Sequence, residues 1–136
     1  MRNIDYIFVH CTASPQTWTI DDLMREFKNK GWKNPGYHVA ITADGTRHQL
    51  LPFEKVSNGV KGHNYNSVNV AYFGGMHGKD NRTEAQKRTL VEVLKELRAM
   101  YPKARILGHR EVFGDDPSKW QKLCPCFFAG EEYKDI

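Results

Sequence analysis

Six histidines and three cysteines give the chain its borderline and soft metal donors. Three of them fall at the ends of segments that read as ordered elements. His10 closes an apolar run, His109 follows a second short run, and Cys124 stands near the C-terminus. Two imidazoles and one thiolate suit zinc, and a catalytic zinc site uses three protein ligands while leaving a fourth position for water. Each residue alone has an ordinary explanation. A single histidine at a strand end commonly hydrogen-bonds, and a single cysteine commonly fills a small apolar space. His38, His48, His63 and His77 offer further imidazoles, and spacing along the chain does not say which of them converge.

Backbone geometry narrows the choice. On an extended segment, neighbours point to opposite faces, so His10 and Cys11 do not share one metal and only one of them is a ligand. By the same rule Tyr37 and His38 face opposite ways, whereas Lys122 and Cys124, two apart, face the same way and bring an ammonium group near the metal. Three cysteines, Cys11, Cys124 and Cys126, are an odd number in a chain that opens without a secretion signal, which argues for metal ligation over a disulfide framework.

The elements that must carry these groups are legible from periodicity and punctuation. Ile4 to His10 reads as a strand, broken by Cys11-Thr-Ala-Ser-Pro15. Thr19 with Asp22 three residues on opens a helix, with Leu23, Met24 and Phe27 on one face and a stop at Gly31, after about Lys30. Tyr37 to Thr42 and Thr46 to Leu51 flank Asp44-Gly45, a strong short-range hairpin signal. Residues 57 to 67, rich in Gly and Asn, form a loop that lines a site and feeds a strand from Val68 to Phe73, ending at Gly74-Gly75. Thr83 and Gln86 make a capping box for a long amphipathic helix carrying Leu90, Val91, Leu94, Leu97 and Tyr101 up to Pro102. Arg105 to Leu107 is a short strand that delivers Gly108-His109, and Asp116-Pro117 starts a brief helix. This order implies an α/β (α+β) fold, a single mixed central β-sheet flanked by helices.

With 136 residues, 40% hydrophobic and 26% charged, the chain has the size and composition of one globular domain over residues 1–136, without repeats or low-complexity tracts. The charge of +4 suits an anionic partner, but the basic residues are dispersed, so the expectation is a solvated surface and no nucleic-acid binding. The N-terminus lacks a signal-peptide pattern and no apolar stretch reaches the ~20 residues of a membrane span, so a cytoplasmic, non-membrane monomer is expected.

Several segments resemble the zinc-dependent N-acetylmuramoyl-L-alanine amidases of the phage-lysozyme and peptidoglycan-recognition-protein type. Val9-His10-Cys11-Thr-Ala-Ser14 is similar to the family's first ligand motif, and Gly31-Trp32 with Gly36-Tyr37-His38 to the segment carrying its tyrosine. Asp44-Gly45-Thr46, Asn66-Ser67 leading to Gly74-Gly75, Gly108-His109-Arg-Glu-Val112 and Lys122-Leu-Cys124-Pro125 resemble its hairpin turn, central strand, second ligand motif and thiolate segment. The resemblance runs almost end to end. It implies that His10, His109 and Cys124 bind Zn2+, that Tyr37 and Lys122 are catalytic, and that the substrate is peptidoglycan or a muropeptide. The expected role is that of a phage or prophage endolysin that degrades the cell wall, with recycling of cytosolic muropeptides as the other use of the same chemistry. The loop histidine frequent in that family falls at Gly59 here, with His63 the nearest imidazole.

Three competing expectations stand beside it. A module of the same fold that binds wall fragments without cleaving them would lack need of Cys124. A cysteine peptidase would use Cys11 with a histidine. A closed structural zinc site would recruit Cys126 as a fourth ligand. Glu111, two residues past His109, is a weaker candidate for supporting a ligand or acting as base, and Trp18, Trp32 and Trp120 read as core or rim aromatics.

Overall fold

The structure, a computed structural model, describes residues 2–114 and 123–136. Five strands form one mixed sheet in the order β3-β2-β4-β1-β5: β1 Tyr6–Cys11, β2 Val39–Ile41, β3 Arg47–Gln49, β4 Ser67–Tyr72 and β5 Arg105–Gly108. The β1–β4, β1–β5 and β2–β4 pairs are parallel, and β2–β3 is antiparallel. Helices α1 (Ile20–Asn29), α2 (Glu84–Met100) and the short α3 (Ala129–Glu132) pack around it. This is the mixed, helix-flanked sheet expected from the order of elements.

Strand alternation divides the sheet into two faces with different tasks. Ile7, Val9 and Cys11 of β1 join Val39, Ile41, Val68, Val70, Tyr72 and Ile106 in a core closed by Leu90, Val93, Leu94 and Leu97 of α2. These leucines recur at helical spacing, and each fully buried one contributes roughly 1.5–3 kcal/mol relative to exposure. Leu94→Ala would cost about 2–5 kcal/mol by leaving a cavity. On the opposite face, Leu23 and Phe27 of α1 pack on Ala40 and Phe73 in a smaller cluster. That cluster leaves part of the sheet, including the even-numbered side chains of β1, available to line a cleft.

Both helices begin where the capping residues place them. Thr19 Oγ1 accepts from Asp22 N while the Asp22 carboxylate accepts from Thr19 N, and Thr83 and Gln86 exchange the same pair of bonds. Each box satisfies N–H groups that the first helical turn cannot.

The hairpin strands are shorter than the sequence suggests. Its turn holds, with Gly45 at φ +84° and Asp44 Oδ1 accepting from Thr46 N and Thr42 Oγ1. Beyond Val39, however, Leu50 N and Leu51 N both donate to the His38 carbonyl, so two residues face one and the ladder ends. Tyr37 thereby leaves the sheet and lines the cleft. The expected helix at Asp116-Pro117 lies outside the described residues.

Candidate metal centre and active site

The site forms where the pairing of β1 with β5 ends. Their parallel register pairs Val9 with Gly108, and one further residue along each chain sets His10 beside His109, with ring centroids 4.9 Å apart. Cys124 comes from the C-terminal segment, which is tied to both strand ends. Cys11 N donates to Cys124 Sγ at 3.0 Å, and Arg110 N donates to the Cys124 carbonyl at 2.8 Å. The residue following each histidine therefore holds Cys124. Tyr72 anchors the next residue by donating from its hydroxyl to the Pro125 carbonyl at 2.7 Å.

The outcome is one cluster in which a donor atom from each of His10, His109 and Cys124 lies within 4.8 Å of the others. Both histidines are buried and Cys124 is partly so. Among the described residues this is the one group of three or more His, Cys, Asp or Glu side chains close enough to hold a metal. It lies in an open cleft of about 170 Å³, whose walls include Glu26 and Phe27 of α1 and Lys30 just after it, together with Trp32, Tyr37 and Asn58.

The remaining histidines stand elsewhere. His38 is fully buried; its Nδ1 accepts from Asn69 N at 3.1 Å and its Nε2 donates to the Lys55 carbonyl at 2.7 Å. Burial brings its pKa down to about 4, so it is a neutral structural imidazole at pH 7. His48 lies on the hairpin against Thr42 Oγ1, and His63 packs edge-on against Tyr6 and Phe8. His77 occupies a left-handed position in a turn, at φ +61°. His63 does not line the cleft at the place of the family's loop histidine, whereas Gly59 does.

Tyr37 is packed between Phe27 and the His10 ring, whose centroid is 5.0 Å away, and its hydroxyl donates to the Cys11 carbonyl at 3.2 Å. Burial, reinforced by the neighbouring thiols of Cys124 and Cys11, holds the phenol well above its usual pKa. Lys122 and Trp120 lie outside the described residues. Trp32 is a rim aromatic stacked on Phe27 with Lys30 Nζ 4.8 Å from its ring centroid, and Trp18 packs against the α1 cluster.

Cys11 points into the α2 core, away from the imidazole of His10, as alternation requires. Its thiol is pushed up to about 12, first by the adjacent Cys124 thiol and further by burial. A buried thiol held protonated is a poor nucleophile, which argues against a cysteine peptidase. Cys126 lies 3.8 Å from Cys11, sulfur to sulfur, and is not in the cluster of donors. Glu111 has a different task from either one expected: Oε1 accepts from Gly108 N and Gly130 N, both at 3.0 Å, fastening α3 to the end of β5.

One buried side chain beside the donor cluster escaped the sequence reading. Asn69, fully buried in β4, accepts from His10 Nε2 through Oδ1 at 2.7 Å. The signal was a lone amide in the otherwise apolar centre of Val68-Asn69-Val70-Ala71, since a buried amide needs partners.

Comparison with known proteins identifies the family. Residues 1–127 match the model of the N-acetylmuramoyl-L-alanine amidase family, a span that includes His10, Tyr37, His109 and Cys124. The chain belongs to that family. This amidase is 36% identical over 126 residues to an endolysin of Enterobacteria phage K11, covering 88% of the chain and 79% of the relative. Among solved structures, the amidase is similar to the Ph2119 endolysin from the Thermus scotoductus bacteriophage Ph2119, with a TM-score of 0.79 and 26% identity over 92% of this chain and 79% of the other. It also shares its fold with bumblebee PGRP-SA, with a TM-score of 0.76 and 15% identity over 99% of this chain and 83% of that one. The amidase acts on peptidoglycan. None of its described helices is long and apolar enough to cross a membrane.

Proposed function

We propose that residues 1–136 form one catalytic domain in which His10, His109 and Cys124 hold a single zinc ion, and that Tyr37 and Lys122 assist hydrolysis of the amide joining the lactyl group of N-acetylmuramic acid to the first L-alanine of the stem peptide. The observation that carries the reading is the meeting of three donors, from positions 10, 109 and 124, at the wall of one cleft. Their chemistry fits the ion. Two imidazoles and a sulfur are among zinc's preferred ligands, and the backbone N–H of Cys11 donates to Cys124 Sγ. Three donors among the described residues suit a catalytic centre.

When bound, zinc supplies Lewis acidity to the amide carbonyl and makes hydroxide available from water near neutral pH. The chain's own residues do the rest. Tyr37, protonated across the physiological range, serves as an O–H donor toward the carbonyl oxygen as negative charge develops on it. Its resting bond to the Cys11 carbonyl is long at 3.2 Å, so exchanging that acceptor for the substrate costs little. Lys122 is assigned by resemblance, two residues before Cys124, as a cation that stabilises the same charge. Water oxygen joins the carbonyl carbon, the C–N bond breaks, the lactyl group departs as a carboxylate and the alanine nitrogen takes a proton to leave as an amine.

The relatives named endolysin support a wall-lysing role over fragment recycling. The test is incubation with purified peptidoglycan. New lactyl carboxyl and alanine amino termini, lost with chelator and regained with zinc, are expected; binding without new termini overturns the catalytic reading.

A further inference from the structure

We infer that Asn69 is a positioning residue that sets the tautomer of His10, and that Gly59 is a glycine so that this amide can fit. The inference rests on the zinc reading above. Asn69 Oδ1 is an acceptor only, so the His10 Nε2 facing it at 2.7 Å carries the proton and donates. A neutral imidazole with a proton on Nε2 offers Nδ1 as its lone-pair nitrogen, and a cation held by His10 takes that atom.

The amide is fixed in this orientation from several sides. Asn69 Nδ2 donates to Ser57 Oγ at 2.8 Å and to Ser67 Oγ at 3.3 Å, which leaves Oδ1 facing His10. Its backbone is clamped too: Asn69 N donates to His38 Nδ1, and Asn69 O accepts from His38 N at 2.8 Å. All of this lies in the centre of β4, where every residue is buried.

Gly59, from the loop facing β4, lies directly over the amide. A Cβ at this position would stand 2.6 Å from Asn69 Nδ2 and closer still to Cγ and Oδ1, so any other residue displaces the side chain that orients His10. The two positions form a unit in which a side chain is present on the strand and absent on the loop.

The test measures zinc affinity by chelator competition on wild type, Asn69→Leu, Asn69→Asp and Gly59→Ala, with thermal unfolding of each metal-free form and nitrogen NMR of the His10 ring in zinc-loaded wild type. Asn69→Leu and Gly59→Ala are expected to raise the zinc dissociation constant roughly 10- to 100-fold, the usual effect of losing a hydrogen-bond partner of a metal-bound histidine. Asn69→Asp keeps the acceptor, and the serine hydroxyls can turn to donate to it, so its affinity stays within about threefold of wild type. The ring spectrum should show the proton on Nε2. A proton on Nδ1, or Asn69→Leu binding zinc as tightly as wild type, overturns the inference. The ring measurement decides the matter if the variants fail to fold. Failure of wild type itself to bind zinc would instead overturn the proposed metal centre.

Discussion

The backbone N–H of Cys11 donates to Cys124 Sγ at 3.0 Å, joining residues 113 positions apart. Two cysteines in contact thus face different surroundings. Cys124 presents its sulfur to an N–H donor beside two imidazoles, while Cys11 turns its own thiol into the core, where it stays protonated. The bond also means that the strand positioning His10 positions the third donor, so disturbing either end of it disturbs the whole group.

Removing any of the three donors should remove the metal. His10→Ala, His109→Ala and Cys124→Ser are each expected to reduce bound zinc from about one per chain to near zero and to abolish turnover, with circular dichroism showing a folded sheet. Cys126→Ser should keep both metal and activity, because its sulfur lies against Cys11 and the Gly75 carbonyl and not among the donors. Metal analysis of the four proteins checks this. Loss of zinc with Cys126→Ser would indicate a closed structural site.

Tyr37→Phe should lower kcat by roughly a hundredfold, the scale of losing one oxyanion donor, while KM changes by less than about threefold. The ring still packs on Phe27 and His10, so binding and stability are kept. Lys122→Met is expected to move kcat in the same direction. Steady-state kinetics on muropeptides separate the two constants, and a change confined to KM would reassign Tyr37 to substrate binding.

The buried imidazole of His38 makes stability fall with pH in a particular window. Its folded pKa of about 4 lies below the unfolded value of about 6.5. The contribution is therefore complete above pH 6.5 and is lost as pH drops toward 4, because the unfolded chain takes up a proton that the folded chain refuses. The change amounts to roughly 3 kcal/mol. Urea unfolding of metal-free protein at pH 7 and pH 4.5 should show it, and His38→Gln should flatten the difference.

Arg82 is expected to be the main anchor of the segment that follows Cys124. Its buried guanidinium bonds to Asp80 and to Glu132 at 2.7–2.9 Å, touches Tyr133 OH at 3.0 Å and lies 3.4 Å from the Phe127 ring centroid. Arg82→Met should cost roughly 3 kcal/mol, near the lower end for a broken buried ion pair because both carboxylates reach water. Thermal unfolding measures the loss. Weaker zinc binding by the variant would show that this anchor helps hold Cys124 in place.

Much of this architecture is written in local signals, because they depend on neighbouring residues alone. The two capping boxes, the Asp44-Gly45 turn, the apolar stripe of α2 and the opposite facing of His10 and Cys11 all follow from backbone geometry and periodicity. The donor types were equally plain in the residues, and the family resemblance singled out His10, His109 and Cys124 among them. What needed the folded chain were relationships between distant segments. The parallel register of β1 and β5 decided that His109, and not one of four other histidines, stands beside His10. Pairing of β2 with β4 buried His38 as a structural imidazole, and the broken ladder beyond Val39 released Tyr37 to the cleft. The contact of Gly59 with Asn69, and of Asn69 with His10, joins a loop to two strands. Sequence spacing carries no information about such contacts, since strand order and register are settled by which faces bury the most apolar surface and satisfy the most buried polar groups together.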